Sequence, residues 1–243
     1  MSSDDLPPPP GTRARRARRM LSREAIVGAA LAVLDERGVE GLNMRAVAER
    51  LGTGPASLYA HVDGKDELLA LMIDRVAAEI PLPRVGAGPW QDQLKDVIRA
   101  IRRLFAAHRD LAHANLGTIP VEPNALALMD ALMGVLRDAG LPDPVIAYTV
   151  DILPLYATAT AYEESLYAGK GVEEAEYIGE LRAYFKSLPA DRFPNFVALA
   201  EPLTSGAGDA RFEFGLDALV RGIAEMGISP SGRRDGEGAR PGD

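Results

Sequence analysis

Cysteine is absent from this chain of 243 residues, histidine occurs 3 times, and aromatic residues make up only 6%. Without thiols there is no disulfide, thiolate metal site or cysteine nucleophile, and such a chain suits a reducing, cytoplasmic setting. The histidines are too few for most metal sites, and His108 and His113 stand about 140° apart round a helix, so they do not share a face. No metal and no cofactor are expected. Long apolar runs are missing as well. The longest stretch free of Asp, Glu, Lys and Arg, Leu51 to Val62, runs to 12 residues, and Leu111 to Val121 and Ile152 to Tyr162 run to 11 each, against the roughly 20 that span a bilayer. No apolar signal segment opens the chain, and no membrane partner is expected. Strand-type alternation of useful length is absent too, so the expected fold is all-α. The glycine pairs at 52/54, 86/88, 169/171 and 206/208 never complete GxGxxG and follow no strand, which leaves a dinucleotide loop unsupported. Glu163-Glu164 and Glu173-Glu174 are adjacent and point different ways, as solvated faces do, rather than as acid and base. With no convergent catalytic set, the expectation is not an enzyme.

What is present is a 47% apolar composition, ample for a packed core, and a net charge of −8. The sum argues against a nucleic-acid partner, but the distribution does not. Residues 11–65 carry 10 Lys/Arg against 6 Asp/Glu, whereas residues 81–243 carry 16 against 23. A basic end on an acidic body fits DNA contact confined to one end. The cluster Arg13, Arg15, Arg16, Arg18 and Arg19 reads either as a solvated charge run or as an arm on phosphates or in a minor groove.

The stretch Asn43 to Lys65, NMRAVAERLGTGPASLYAHVDGK, carries the densest local signals. Asn43 can accept the orphan amide hydrogens of a helix through Met44 to Leu51, and Gly52 ends it in the left-handed region. Pro55 then suits the first turn of a second helix that cannot run beyond His61 or Val62. Two helices joined by a short turn containing glycine make a helix-turn-helix, whose second helix enters the DNA major groove. Leu58 and Val62 read as core. Ser57 and Tyr59 place hydroxyls on the front of the recognition helix, where they meet the phosphate backbone. Arg45 sits badly at the positive end of its helix unless an anion is near, and phosphate is the natural one. Lys65 reads the same way, and Pro55, Ala56 and Ala60 offer apolar contact suited to thymine methyls.

Residues 21 to 76 resemble the N-terminal domain of TetR-type transcriptional repressors, most specifically in Leu58-Tyr59-x-His61 followed by Lys65 and Leu68-Leu69, behind Leu51-Gly52. The resemblance adds His61 to the expected DNA contacts. Val62 and Gly64 depart from the family's commoner Phe and Ser.

Along the rest of the chain, MSSDDLPPPP lacks apolar content and reads as disordered, as does the tail from Ser229. The organisation expected is a disordered basic arm at 1–20, a DNA-binding domain at 21–80, an effector-binding and dimerisation domain at 90–228 and a disordered tail at 229–243. The first helix is capped by Ser22 and closed at Arg37-Gly38, with Ile26, Ala29, Ala30, Val33 and Leu34 on one face. Lys65 to Glu79 forms the next long helix, ended by Pro81-Leu82-Pro83. Helical period then recurs through Leu94, Val97, Ile98, Ile101, Leu104 and Phe105, around Leu111 to Leu116, and from Asn124, read as a cap, to Gly140. Asp143 to Ala168 is long and apolar, with Pro154 set to kink it. A helix near Glu173 to Leu188, a Pro/Gly-rich loop and a last helix over Asp209 to Met226 complete the pattern.

The second half is similar to the ligand-binding domain of the tetracycline-repressor subgroup, through Trp90-Gln91, Leu116-Gly117-Thr118-x-Pro120, and Phe212 with Gly215-Leu216, Leu219 and Arg221-Gly222. That resemblance implies a small-molecule effector, with pocket positions falling on Val97, Ile101, Asn115, Thr118, Ala131 and Leu155. It also implies a homodimer through the last long helices, where Phe212, Gly215, Leu219, Gly222 and Ile223 are the expected interface. Tetracycline-binding members place histidines where this chain has Pro81 and Asn115, so a largely apolar effector is expected rather than magnesium-tetracycline. The function expected is a repressor on double-stranded operator DNA, released by that effector. A ligand-free DNA-binding activator or architectural protein, or a helical carrier or enzyme, are the alternatives.

Overall fold

The structure is a computed structural model that describes residues 21–108, 110–116, 119–168, 174–205 and 208–227. The arm at 1–20, the tail at 229–243 and Thr118 lie outside the described residues. Every regular element among those described is a helix, and none is long and apolar enough to cross a membrane.

Helix α1 (Arg23–Gly41) starts where its sequence says it must, with Ser22 Oγ accepting the Ala25 N–H at 3.2 Å. Gly38, at φ 71° and ψ 179°, breaks it, because only glycine takes that conformation without strain. Asn43 caps α2 (Met44–Arg50) by accepting from Ala46 N at 3.0 Å. Gly52 turns the chain at φ 65°, and Pro55 opens α3 (Pro55–Leu58), which continues as turns to His61. Helix α4 (Lys65–Ala77) has no side-chain cap at Gly64. Glu67 reaches back instead to accept the Asp63 N–H, so the departure from the family's serine is met from inside the helix.

The second half comprises α5 (Trp90–Ala106), α6 (Leu111–Leu116), α7 (Pro123–Asp138), α8 (Asp143–Ala168), α9 (Glu174–Ser187), α10 (Pro194–Leu203) and α11 (Gly208–Gly227). Helix α8 packs against α5, α6, α7 and α11 and is the centre of this half. It runs through Pro154 as one helix. One continuous apolar core joins the halves, from Ile26 and Leu34 through Met72 to Ile98, Leu153 and Phe212. Burying a side chain of this size stabilises by about 1.5–3 kcal/mol, so a core of this extent gives the recognition helix a firm base.

Two expectations are corrected here. Asn124 does not cap α7; the helix begins at Pro123, and Asn124 itself donates to Asp74 on α4. The stretch read as a Pro/Gly-rich loop contains α10, because Pro194 is in the first turn, where its missing N–H costs nothing, and Pro202 is near the end.

Candidate nucleic-acid interface and ligand chamber

Helix α3 divides its side chains sharply. Leu58 and Val62 are buried in the core, while Pro55, Ala56, Ser57, Tyr59 and Ala60 face out. Tyr59 is 54% exposed. Arg45, also exposed, forms no ion pair among the described residues. These positions form the outward surface that the sequence assigned to DNA. His61 differs, with its side chain half-buried and its carbonyl accepting from Arg23 Nε at 2.9 Å. Lys65 differs as well: its Nζ donates to the Val39 carbonyl at 3.1 Å, stitching α4 to the end of α1. An ammonium has three donors, so that bond does not consume Lys65.

Arg23 was not singled out in the sequence. Besides His61 it pairs with Glu67 at 2.6 Å, so one guanidinium holds the α3–α4 turn onto α1. A lone cation in the first turn of α1 was the available signal, since it opposes that helix's dipole unless a partner lies elsewhere.

In the second half, Val97 and Ile101 are buried one turn apart on α5. Asn115 is drawn against α8, its Nδ2 donating to Thr158 Oγ1 at 3.1 Å, and Thr158 is buried. Nearby, His113 stacks on Tyr162 with centroids 4.9 Å apart. Ala131 is half-buried on α7. Leu155 does not join this group. It is 53% exposed on the face of α8 opposite the buried Leu153 and Ala157, because residues two apart on a helix point about 200° apart. Thr158 was missed; a hydroxyl at its place in the uncharged run Ile152 to Tyr162 was the only hint.

A cavity of about 300 Å³ lies elsewhere, between α8, α9 and α11. Tyr156 forms its back wall. Its hydroxyl donates to the Phe212 carbonyl at 3.0 Å and its ring lies parallel to that of Phe212 at 5.4 Å. Burial pushes the Tyr156 phenol above its ordinary 10.0, keeping it a donor. Arg102 covers Phe212 at 4.5 Å and pairs with Glu164 and Asp209.

This packing corrects part of the expected dimer face. Phe212 is 2% exposed and belongs to the chain's own core. A Cβ at Gly215 would come within 2.1 Å of the Tyr156 hydroxyl, so that glycine makes room for a tyrosine of its own chain. Leu219 and Ile223 rest half-buried on the core, while Gly222 faces open space. The outward apolar side chains include Phe214 on α11, 78% exposed, and Tyr148, Ile152 and Leu155 in one stripe along α8.

Besides the shared apolar core, two polar joints tie the DNA-facing elements to the ligand-facing ones. At one, the buried Asp74 of α4 accepts from Asn124 N at 2.8 Å, Asn124 Nδ2 at 2.7 Å and Ala125 N at 3.0 Å, capping α7, which has no cap of its own. At the other, His108 meets Asp35 at 3.2 Å and Asp110 accepts from Val39 N at 3.0 Å. Helix α6 lies between the two joints.

Residues 26–72 match the family model for bacterial regulatory proteins of the tetR family, and residues 82–227 match that of the tetracyclin repressor-like C-terminal domain. The chain is 32% identical over 209 residues to the HTH-type transcriptional repressor DrrR1 of Streptomyces coeruleorubidus, covering 84% of this chain and 77% of that protein. Tetracycline repressor protein class D of Escherichia coli is 31% identical over 213 residues, 84% of this chain and 89% of that protein. Apo ActR of Streptomyces coelicolor superposes with a TM-score of 0.77 at 43% identity, covering 85% of this chain and 96% of ActR. ActR in complex with actinorhodin superposes at 0.78, with the same identity and coverage.

Proposed function

The chain belongs to the TetR family of bacterial transcriptional regulators, and on that premise we propose that it is a repressor whose hold on operator DNA is released by a small-molecule effector. The observation that carries this reading is the pair of joints flanking α6. Asp74 grips the start of α7 and the 108–110 turn is tied to Asp35 and Val39, so any ligand that shifts α6 pulls on both α1 and α4. Effector binding then biases a two-state equilibrium of the DNA-binding unit.

Arg45, Ser57 and Tyr59 take phosphates, and Pro55, Ala56 and Ala60 take base edges. His61 and Lys65 hold the recognition helix in place as well as facing the DNA. Val97, Ile101, Ala131 and Asn115 line a chamber for a largely apolar effector, and the family resemblance adds Thr118 to its expected contacts. Two copies pair through the outward faces of α8 and α11, which places two recognition helices on successive turns of the groove.

The direct test is a gel shift of the purified chain on the DNA upstream of its own coding region, with and without actinorhodin, the molecule seen bound to ActR. Retarded DNA that is freed by the ligand supports the reading. No retardation at any salt concentration overturns it, and retardation indifferent to actinorhodin and to other aromatic ligands removes the effector from it.

A further inference from the structure

The cavity between α8, α9 and α11 shares no lining residue with the chamber proposed above, and four of its five hydroxyls, those of Tyr156, Thr160, Thr204 and Ser205, have the same hydrogen-bond character. Those four use their hydrogens on the chain itself. Tyr156 donates to the Phe212 carbonyl at 3.0 Å, Thr160 to Ala157 at 2.9 Å, Thr204 to Ala200 at 2.6 Å and Ser205 to Pro202 at 3.3 Å. What they can offer an occupant is therefore lone pairs, since a hydroxyl has one hydrogen and two acceptor sites. Thr204 also accepts from Arg182 Nε at 2.8 Å, which fixes the α10 end of the wall.

Aromatic and aliphatic side chains make up much of the remaining wall. The Tyr156 ring is backed by Phe212, over whose ring Arg102 also lies, and Tyr177 and Leu181 stand on α9. Gly215 leaves the Tyr156 hydroxyl its space, so the wall is set before any ligand arrives. At the rim, Glu163 and Arg211 carry opposite charges and neither forms an ion pair among the described residues. Their charges balance, so an occupant gains nothing from a net charge of its own.

Around the cavity, α9 and α10 pack on each other and make only sparse contact with the other described helices. The space is a seam along which this hairpin lies against α8 and α11.

We propose that this seam is a second small-molecule site, and that it takes a neutral, planar aromatic compound bearing hydroxyl donors, a polyphenol of two or three fused rings. A cavity of about 300 Å³ is at the lower end of small-ligand sites and suits such a size. The aromatic faces stack on Tyr156, the phenolic hydrogens meet the Thr160 and Ser205 oxygens, and the occupied seam joins the hairpin to the bundle. The site does not depend on the chamber, so its failure leaves the repressor reading intact.

The experiment is calorimetric titration of the full chain with 2,7-dihydroxynaphthalene and with 2,7-dimethoxynaphthalene, which has the same rings and no donor. The dihydroxy compound is expected to bind at least about tenfold tighter, the equivalent of one or two net hydrogen bonds. Thr160→Val, close to isosteric, should erase most of that preference, and Thr160→Trp should abolish binding of both probes. Thermal melting confirms that each variant is folded. Bound dihydroxynaphthalene should also slow amide exchange across residues 178–203. Equal binding of the two probes, a preference that survives Thr160→Val, or no binding of either probe to the wild-type chain would overturn the proposal.

Discussion

Tyr59 is held outward because Leu58 beside it is held in. Leu58 is fully buried under α3, and successive residues on a helix point about 100° apart, so the ring has nowhere to go but solvent or DNA. Arg45 is in the same position on α2, an exposed cation at a helix start that pairs with no carboxylate among the described residues. Tyr59→Phe and Arg45→Ala are each expected to weaken operator binding by about 1 kcal/mol. Arg45→Ala should also lower the slope of log affinity against log salt by about one, since it removes a phosphate contact. Fluorescence anisotropy across a salt series checks both, and unchanged affinity in the two variants would remove these residues from the interface. Lys65→Ala has a different signature. Because its ammonium holds the Val39 carbonyl, part of its loss should appear as a lower melting temperature.

At the scale of elements, the junction between α4 and α7 stands out because one helix supplies the other's cap. The first N–H groups of any helix lack internal partners, and here the Asp74 carboxylate takes two of them from outside. It is only 7% exposed, so Asp74→Ala leaves buried donors unmet and should cost about 1–3 kcal/mol of stability. Asp74→Asn keeps an acceptor at lower charge. It should still bind operator while its release by effector is blunted, read as a higher ligand concentration for half-release in the gel shift. The pairing of α5 with α11 rests on ions instead. Hydrogen bonds from Arg99 hold the Glu213 carboxyl below its ordinary 4.5, and a hydrogen bond from Lys95 holds Asp217 below its ordinary 3.8. Folded values lie below unfolded ones, so this contribution is complete above the unfolded values and is lost as pH falls through the folded ones. Melting curves taken at falling pH should show Glu213→Gln less sensitive to acid than the wild type, with the two converging once the carboxyl is protonated.

For the whole molecule, the decisive faces are those that the single chain leaves uncovered. Phe214 on α11 and the stripe Tyr148, Ile152 and Leu155 on α8 are large exposed apolar side chains on two helices that pack together, and they carry the pairing of two copies proposed above. Phe214→Glu and Ile152→Asp together should yield monomers in sedimentation and lose tight operator binding while the fold persists by circular dichroism. Leu219→Arg is the poorer probe, because Leu219 is half-buried against its own core and a charge there would damage folding. A double variant that remains dimeric would place the interface on another surface.

The sequence alone determined whatever is settled within a turn or two of chain. The helix-turn-helix, the Ser22 and Asn43 caps, the breaks at Gly38 and Gly52 and the all-α class follow from the local rules of period, cap and turn, and those rules do not depend on what lies opposite. An apolar stripe shows that a helix face is buried but not against what. For that reason Phe212 and Gly215, read as facing a second copy, turn out to face Tyr156, and Leu155, read as chamber wall, turns outward. Asp74 capping a helix some fifty residues further along the chain, and the seam beneath α9 and α10, exist only once distant segments are folded together. Tertiary structure decided them because a carboxylate or a hydroxyl takes its meaning from the donor or acceptor that packing brings to it, and no local spacing records that partner.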